Sequence, residues 1–241
     1  MRDYIDLHTH TLASGHAYST IDAMIKAAEN AGIKIFGITE HAPMMPGSCT
    51  LLYFNNLRVL PRKRERILTL FGAELNILDS DGTVDLSEET LSRMDLCIAS
   101  LHGPCYNPGT KEENTQAYLN AMKNPYVNII AHPDDSYYPV DYRALVEGAK
   151  EYHVLLEVNN GSLTPGGFRK NVVENNHIML ELCKEYSVPV ILDSDAHVDS
   201  AVGNHQYALQ VVREVDFPEE LIVNTDENKV KEYLNYFRRE K

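Results

Sequence analysis

Tyr4-Ile5-Asp6-Leu7-His8-Thr9-His10 is a short apolar run that passes directly into two histidines. Its form recurs along the chain. Ile35-Phe36-Gly37-Ile38-Thr39 runs into Glu40-His41, Leu96–Ser100 into His102, Asn128–Ala131 into His132, and Val190–Leu192 into Asp193, Asp195 and His197. Leu70–Asn76 and Leu155–Asn159 carry their polar residues inside the run, Glu74 with Asn76 and Glu157 with Asn159. Such runs are short, apolar and only weakly alternating, which predicts strands covered on both faces, as in a parallel sheet.

Between the runs lie amphipathic stretches. Thr20–Asn30 predicts a helix, with Ser19 or Thr20 as its cap and Gly32 just past its end. Leu57–Leu68 (interrupted near Pro61), Asn114–Met122, Val140–Tyr152, Val172–Tyr186, Gly203–Val215 and Glu227–Arg239 predict further helices, and Gly82–Val84 a short extra strand. Seven strand–helix units with no linker, low-complexity tract or change of composition predict a single α/β domain over residues 1–241, a closed or nearly closed (β/α)7 barrel. An open doubly wound sheet is the rival, but no GxGxxG or P-loop supports it.

The chain has 241 residues, ten histidines, no tryptophan and a formal charge of −13, which argues against nucleic acid or an anionic membrane as the main partner. Cys49, Cys97, Cys105 and Cys183 are dispersed, with no CxxC pair, as expected of reduced thiols in the cytoplasm. No signal peptide and no membrane-spanning run is seen, and a homo-oligomer stays open.

The histidines decide between a merely acidic surface and a cation site. The steps from His8 to His41, Glu74, His102 and His132 are 33, 33, 28 and 30 residues, about one βαβ unit each. A metal-type residue therefore recurs at the C-terminal end of successive strands, the rim where barrel active sites lie. Asp6, His8 and His10 at i, i+2 and i+4 predict three side chains on one strand face, and Asp193, Asp195 and His197 repeat the pattern. His16 follows in a loop at the same rim. His153, His177 and His205 read as packing or surface residues.

The candidate metal ligands are therefore His8, His10, His16, His41, Glu74, His102, His132, Asp195 and His197. The absence of thiolates excludes a Cys-type structural zinc site. Nine ligands exceed what one ion needs, so two or three ions with bridging carboxylates are expected, and imidazole with carboxylate suits zinc, iron(II) or manganese(II). Such ions activate water and neutralise substrate charge, which suits hydrolysis of a phosphoryl group. No Ser or Cys nucleophile with a base is evident. Asp6 and Asp193 could orient ligating imidazoles, or be satisfied buried carboxylates. Arg58 and Arg62, at i and i+4 after the second strand, are candidate phosphate contacts, against a solvated basic helix that also holds Lys63, Arg64 and Arg66.

The segments Asp6–His10 (DLHTH), Thr39–His41 (TEH), Gly72–Asn76 (GAELN), Ser100–His102 (SLH), Ala131–Pro133 (AHP) and Asp193–His197 (DSDAH) resemble the PHP (polymerase and histidinol phosphatase) superfamily. His16–Thr20, Pro61–Arg62, Asn114–Ala117 and Glu157–Asn160 resemble its YcdX-type phosphatases. The resemblance covers essentially the whole chain. It implies a distorted TIM-like (β/α)7 barrel and a trinuclear cluster, usually of zinc. It would place His8, His10, Glu74 and Asp195 on one metal, with Glu74 bridging to a second held by His102 and His132. His16, His41 and His197 would hold the third. The stretch Cys49–Phe54 departs from the pattern of close relatives, which bears on specificity. The implied activity is that of a metal-dependent phosphatase on a small phosphorylated substrate. Histidinol-phosphate phosphatase, a PHP-type nuclease or proofreading domain, an amidohydrolase-like barrel and a non-catalytic metal-binding protein are the alternatives. No Lys stands at a strand exit for the amidohydrolase reading, and no basic, aromatic groove for the nuclease.

Overall fold

The structure is a computed structural model, and it describes residues 3–64 and 66–239. Seven strands, β1 (Ile5–Asp6), β2 (Ile35–His41), β3 (Leu68–Asn76), β4 (Cys97–Ser100), β5 (Ile129–Ile130), β6 (Leu155–Asn159) and β7 (Val190–Asp193), pair in parallel in sequence order. The helices are α1 (Ile21–Ala31), α2 (Leu51–Asn56), α3 (Glu88–Leu91), α4 (Lys111–Met122), α5 (Tyr142–Tyr152), α6 (Asn160–Leu163), α7 (Val172–Tyr186), α8 (Gln206–Glu214), α9 (Glu227–Lys231) and α10 (Asn235–Arg239). Thr20 caps α1 by accepting from the Ala23 N–H, and Gly32 ends the helix in the left-handed region at φ 81°.

The sheet curls until β1 and β7 are neighbours. The ladder does not close regularly there. A single bridge pairs Thr9 with Ala196, and the Asn224 side chain fills the seam. Its Nδ2 donates to the carbonyls of Ile5 and Leu192, at 2.9 and 2.6 Å, and its Oδ1 accepts from Leu192 N at 2.8 Å. The Asn224 amide thus supplies the donors and acceptor that a neighbouring strand would otherwise supply.

Two apolar layers result. Alternate strand residues such as Phe36, Ile38, Phe71, Leu156 and Leu192 point outward and pack under the helices. Ile5, Leu7, Ile35, Leu70, Ile98, Ile129, Leu155 and Ile191 fill the inside. Each such side chain, fully buried, is worth about 1.5–3 kcal/mol. Inside, the strands approach too closely for a Cβ at two positions. One on Gly37 would lie 2.4 Å from Leu7 O, and one on Gly72 2.0 Å from Leu96 O. Val230, Tyr233 and Leu234 plug the strand-start end. The apolar packing therefore occupies that half of the barrel, and the strand-exit half holds polar residues.

Two helix expectations are corrected. Among the described residues of 57–68 no α-helix forms. The helix comes earlier, as α2, followed by a 3-10 turn at Leu57–Val59. Pro61 is the reason: it lacks an N–H and forces Leu60 into extended backbone, at ψ 133°. Lys63 then bridges back to Leu68. The expected helix Glu227–Arg239 is broken into α9 and α10, because the turn between them drives Leu234 into the barrel, where it is fully buried. Gly82–Val84 yields only a bridge from Val84 to Ile77. Among the described residues no helix is long and apolar enough to cross a membrane. All four cysteines are free.

Candidate metal centre

The nine candidate ligands meet at the strand exits. His41 ends β2, Glu74 lies in β3, His8, His10, His102, His132, Asp195 and His197 follow the ends of β1, β4, β5 and β7 within a few residues, and His16 lies in the loop before α1. Glu74, fully buried, stands in the middle. Its Oε2 faces His41 Nδ1 at 2.6 Å, His8 Nε2 at 3.4 Å and His10 Nε2 at 3.5 Å. Its Oε1 faces His132 Nε2 at 2.9 Å and His102 Nε2 at 3.1 Å. Asp195 Oδ1 lies 3.3 Å from His10 Nε2 and 3.6 Å from His8 Nε2. His16 joins through His41, Nε2 to Nε2 at 3.1 Å, and its ring lies 5.0 Å from that of His197.

The surrounding hydrogen bonds decide which ring nitrogen carries the proton. His8 Nδ1 lies 2.7 Å from Glu157 Oε1, so it donates. Ser14 Oγ gives its only proton to Glu40 Oε2 at 2.6 Å and accepts from His41 N at 3.0 Å. The Ser14 oxygen can therefore only accept from His10 Nδ1, at 3.0 Å. The Asn76 amide is oriented by Nδ2 donating to Asp85 Oδ2 and Ala42 O, so its Oδ1 accepts from His102 Nδ1 at 2.7 Å. His197 Nδ1 donates to the Asp195 carbonyl at 2.9 Å. In all four rings Nε2 is left with a lone pair directed at the centre.

At His8 and His10 ring lone pairs thus face the carboxylate oxygens of Glu74 and Asp195, an arrangement that a bound cation would relieve. His8 Nε2, His10 Nε2, His41 Nδ1 and Glu74 Oε2 are buried with no hydrogen-bond partner. The distances also fit. Four ligands about 2.1 Å from one tetrahedral ion stand about 3.4 Å apart. The four contacts joining His8 Nε2 and His10 Nε2 to Glu74 Oε2 and Asp195 Oδ1 span 3.3 to 3.6 Å. Further triads of ligand atoms, His10 with His41 and His197, and His41 with Glu74 and His102, lie within 4.8 Å of one another. The residues present fit metal ions.

The electrostatics agree at three rings, whereas at His8 burial is outweighed by the charges of Glu157, Asp195 and Glu74, which hold it well above the usual imidazole range, so that a cation there displaces a proton. Burial, then the charge of His41, holds His10 well below the usual imidazole range. Burial and then Arg169 hold His132 down to about 4. Burial, His41 and His197 also lower His16. These rings are neutral at neutral pH, as ligands must be. Burial opposes ionisation of Glu74, but the surrounding His102, His41 and His8 keep its carboxyl well below its ordinary value. His132 at φ 33° and Asp195 at φ 53° sit in the left-handed region, a strain typical of functional sites.

Several expected residues stand elsewhere. Asp6 is not on the ligand face. β1 ends at Asp6, and Ile5 and Leu7 take the inward positions. The Asp6 carboxylate accepts from Ser194 N, Ser194 Oγ and Gly203 N instead, which makes it a satisfied buried group at the seam. Asp193 accepts from Leu7 N at 2.6 Å, also across the seam. Its carboxyl is pushed well above the ordinary value by burial and by the charges of Glu157 and Asp6. Neither touches a candidate ligand's ring; Glu157 has the orienting part for His8. Arg62 donates to Asp95 Oδ2 at 2.9 Å and to the carbonyls of Leu57 and Leu60, at the strand-start end. It faces away from the centre because the broken helix returns the chain to the start of β3. Arg58 is exposed in the 3-10 turn. His205 is buried and bonds Asp3, His177 pairs with Glu214, and His153 stacks on Tyr233.

Arg169 is the cation that spacing did not reveal. It lies in the loop after α6, with its side chain only 13% exposed. Its Nη1 donates to Ser162 Oγ at 2.8 Å and lies 3.6 Å from Asp195 Oδ2. Burial disfavours its charge, yet Asp195 and Asp134 hold its pKa above the ordinary value. The one available signal was its position, in a loop leaving the strand-exit rim. Arg169, His16, His41, His102, His132, Asp195 and His197 line a cavity of about 950 Å³ that opens at this rim.

The PHP domain profile matches residues 6–239. A probable phosphatase of Clostridium acetobutylicum is 46% identical over 234 residues, covering 97% of this chain and 95% of the relative. A probable phosphatase of Thermoanaerobacter sp. is 44% identical over 240 residues, covering 99% and 97%. Among solved structures, the histidinol phosphate phosphatase of Lactococcus lactis, complexed with zinc, L-histidinol and phosphate, superposes with a TM-score of 0.61. It is 16% identical and covers 90% of this chain and 95% of its own, a likeness of fold.

Proposed function

The chain belongs to the PHP domain family, a family of hydrolases, and from that premise we propose that it is a metal-dependent phosphatase acting on a small phosphorylated molecule. The observation that carries this reading is the convergence of lone pairs and carboxylates at the barrel rim beside a buried arginine. The nine side chains named above would hold up to three ions, with Glu74 central among them. Zinc suits the imidazole and carboxylate donors, as do manganese(II) and iron(II). When bound, such ions polarise phosphoryl oxygens and lower the pKa of water.

The protein's own groups do the rest. Arg169 holds non-bridging phosphoryl oxygens from the cavity side, where its charge is least screened. Glu157, Ser14 and Asn76 keep His8, His10 and His102 in the tautomer that presents Nε2 inward. Glu40 keeps the Ser14 hydroxyl turned the right way, and is itself held by Thr11 and by Tyr53, whose hydroxyl donates at 3.2 Å. The half-enclosed cavity limits water around the reacting group. The whole chain reads as one domain, and its four free cysteines support a reducing compartment.

The test is turnover of p-nitrophenyl phosphate by zinc- or manganese-loaded protein. Activity is expected to vanish on chelation and return with metal, and Glu74→Ala is expected to lose both bound metal and turnover. Full turnover by the stripped protein, or unchanged metal content in Glu74→Ala, overturns the reading.

A further inference from the structure

We infer that the leaving group of the substrate is a flat, largely apolar ring rather than a polyol or sugar, an inference that rests on the phosphatase reading above. A cavity of about 950 Å³ lies at the upper end of small-ligand sites and holds far more than a phosphoryl group. Its polar groups are unevenly placed. The imidazoles, Asp195 and Arg169 gather at the floor. The wall is built largely from Met45, Leu101, Pro104, Tyr137, Tyr138 and Phe168. Two of the polar groups of that wall are engaged within the protein: Tyr138 donates its hydroxyl to Tyr106 O at 3.4 Å. Asp135 Oδ1, at the same wall, accepts from the N–H groups of Tyr137 and Lys170. Against Met45, Leu101, Pro104 and Phe168 a polyol would lose water and find no side-chain hydrogen-bond partner, whereas a ring gains by leaving water.

Two aromatic side chains at this mouth are unusually exposed. Phe168 is 84% and Tyr137 is 52% accessible. Exposed rings bordering a polar pocket are characteristic of ligand contact, and an offset or edge-on ring pair adds about 0.5–1.5 kcal/mol beyond burial. Phe168 also adjoins Arg169, whose guanidinium lies 5.4 Å from its ring centre. One loop thus presents an aromatic surface to the leaving group and a cation to the phosphoryl group, so contact with the ring also positions the arginine.

Benzyl phosphate and glycerol 1-phosphate, both alkyl monoesters, separate this inference from the phosphatase reading. For zinc-loaded full-length protein, kcat/KM is expected to favour benzyl phosphate by about tenfold. Phe168→Ala and Tyr137→Ala are each expected to lower that ratio roughly threefold to tenfold. Calorimetry with benzylphosphonate and methylphosphonate is expected to show the same preference without turnover. A ratio at or below one, or one that neither substitution moves, overturns the inference while leaving the phosphatase intact. Hydrolysis of neither ester overturns the phosphatase reading, and the phosphonate affinities then decide the ring preference on their own.

Discussion

Glu157 Oε1 lies 2.7 Å from His8 Nδ1, and both residues are fully buried. The same carboxylate accepts, through Oε2, the His132 N–H at 2.7 Å and the Asn159 amide at 2.9 Å. One residue of β6 thereby orients ligand candidates that follow β1 and β5. Such outer partners typically account for 10–100-fold in metal affinity.

Glu157→Ala is therefore expected to weaken zinc binding by about 10–100-fold, read by competition with a chromophoric chelator. Glu157→Gln, whose amide oxygen can still accept from His8, should recover part of the loss. Wild-type affinity in the alanine variant would refute the orienting part.

Arg169 donates to Ser162 while facing the cavity, a two-sided arrangement that a lysine ammonium does not reproduce. Arg169→Lys is expected to raise KM for a phosphomonoester and weaken inhibition by inorganic phosphate, each by about tenfold or more. Elemental analysis should find metal content retained. Wild-type phosphate inhibition would remove Arg169 from the substrate site.

Arg62 belongs to the opposite end of the barrel. With Arg239 it neutralises the buried Asp95, whose Oδ2 also accepts from Phe71 N at 2.9 Å. Arg62→Ala should lower stability by about 1–3 kcal/mol in urea unfolding, with kcat/KM unchanged. A selective rise in KM without loss of stability would return Arg62 to phosphate binding.

His205 gives a pH dependence with a defined sign. Burial opposes its charge, but the hydrogen bond to Asp3 and the nearby Asp6 carboxylate, 3.6 Å from Nε2, push its pKa up to about 10, against 6.5 ordinarily. The folded chain thus binds this proton more tightly than the unfolded chain. The stabilisation is fully present below pH 6.5 and is lost as pH rises through about 10. Wild-type melting temperature should fall across that window relative to His205→Gln. Parallel pH profiles for the two proteins would show that the pair contributes nothing.

Much of the barrel was legible because its signals are local. A short apolar run ending in His or Glu can be recognised within one segment, and seven such runs at near-constant spacing leave few topologies. The nine candidate ligands were legible for the same reason: every strand exit in a barrel opens on one rim, so residues in equivalent places in successive units must meet. The helix expected over Leu57–Leu68 with an interruption near Pro61 instead lies before that stretch, because Pro61 and the extended Leu60 end helical geometry there rather than interrupt it.

Other assignments needed the fold. Asp6 and His8 are two residues apart, but β1 ends between them, and the closing seam rather than alternation turns Asp6 toward Ser194 and His205. Glu157 and His8 are 149 residues apart and touch only because the barrel closes. Arg169 lies in an irregular loop with no period to mark its direction. The sequence by itself determined the parallel βα repeat and the set of metal-type residues at its rim, because periodicity and spacing are properties of neighbouring positions. Only the tertiary structure decided which carboxylate orients which imidazole, which arginine faces the cavity and what lines its mouth, because those contacts depend on how far the curled sheet carries distant segments toward one another.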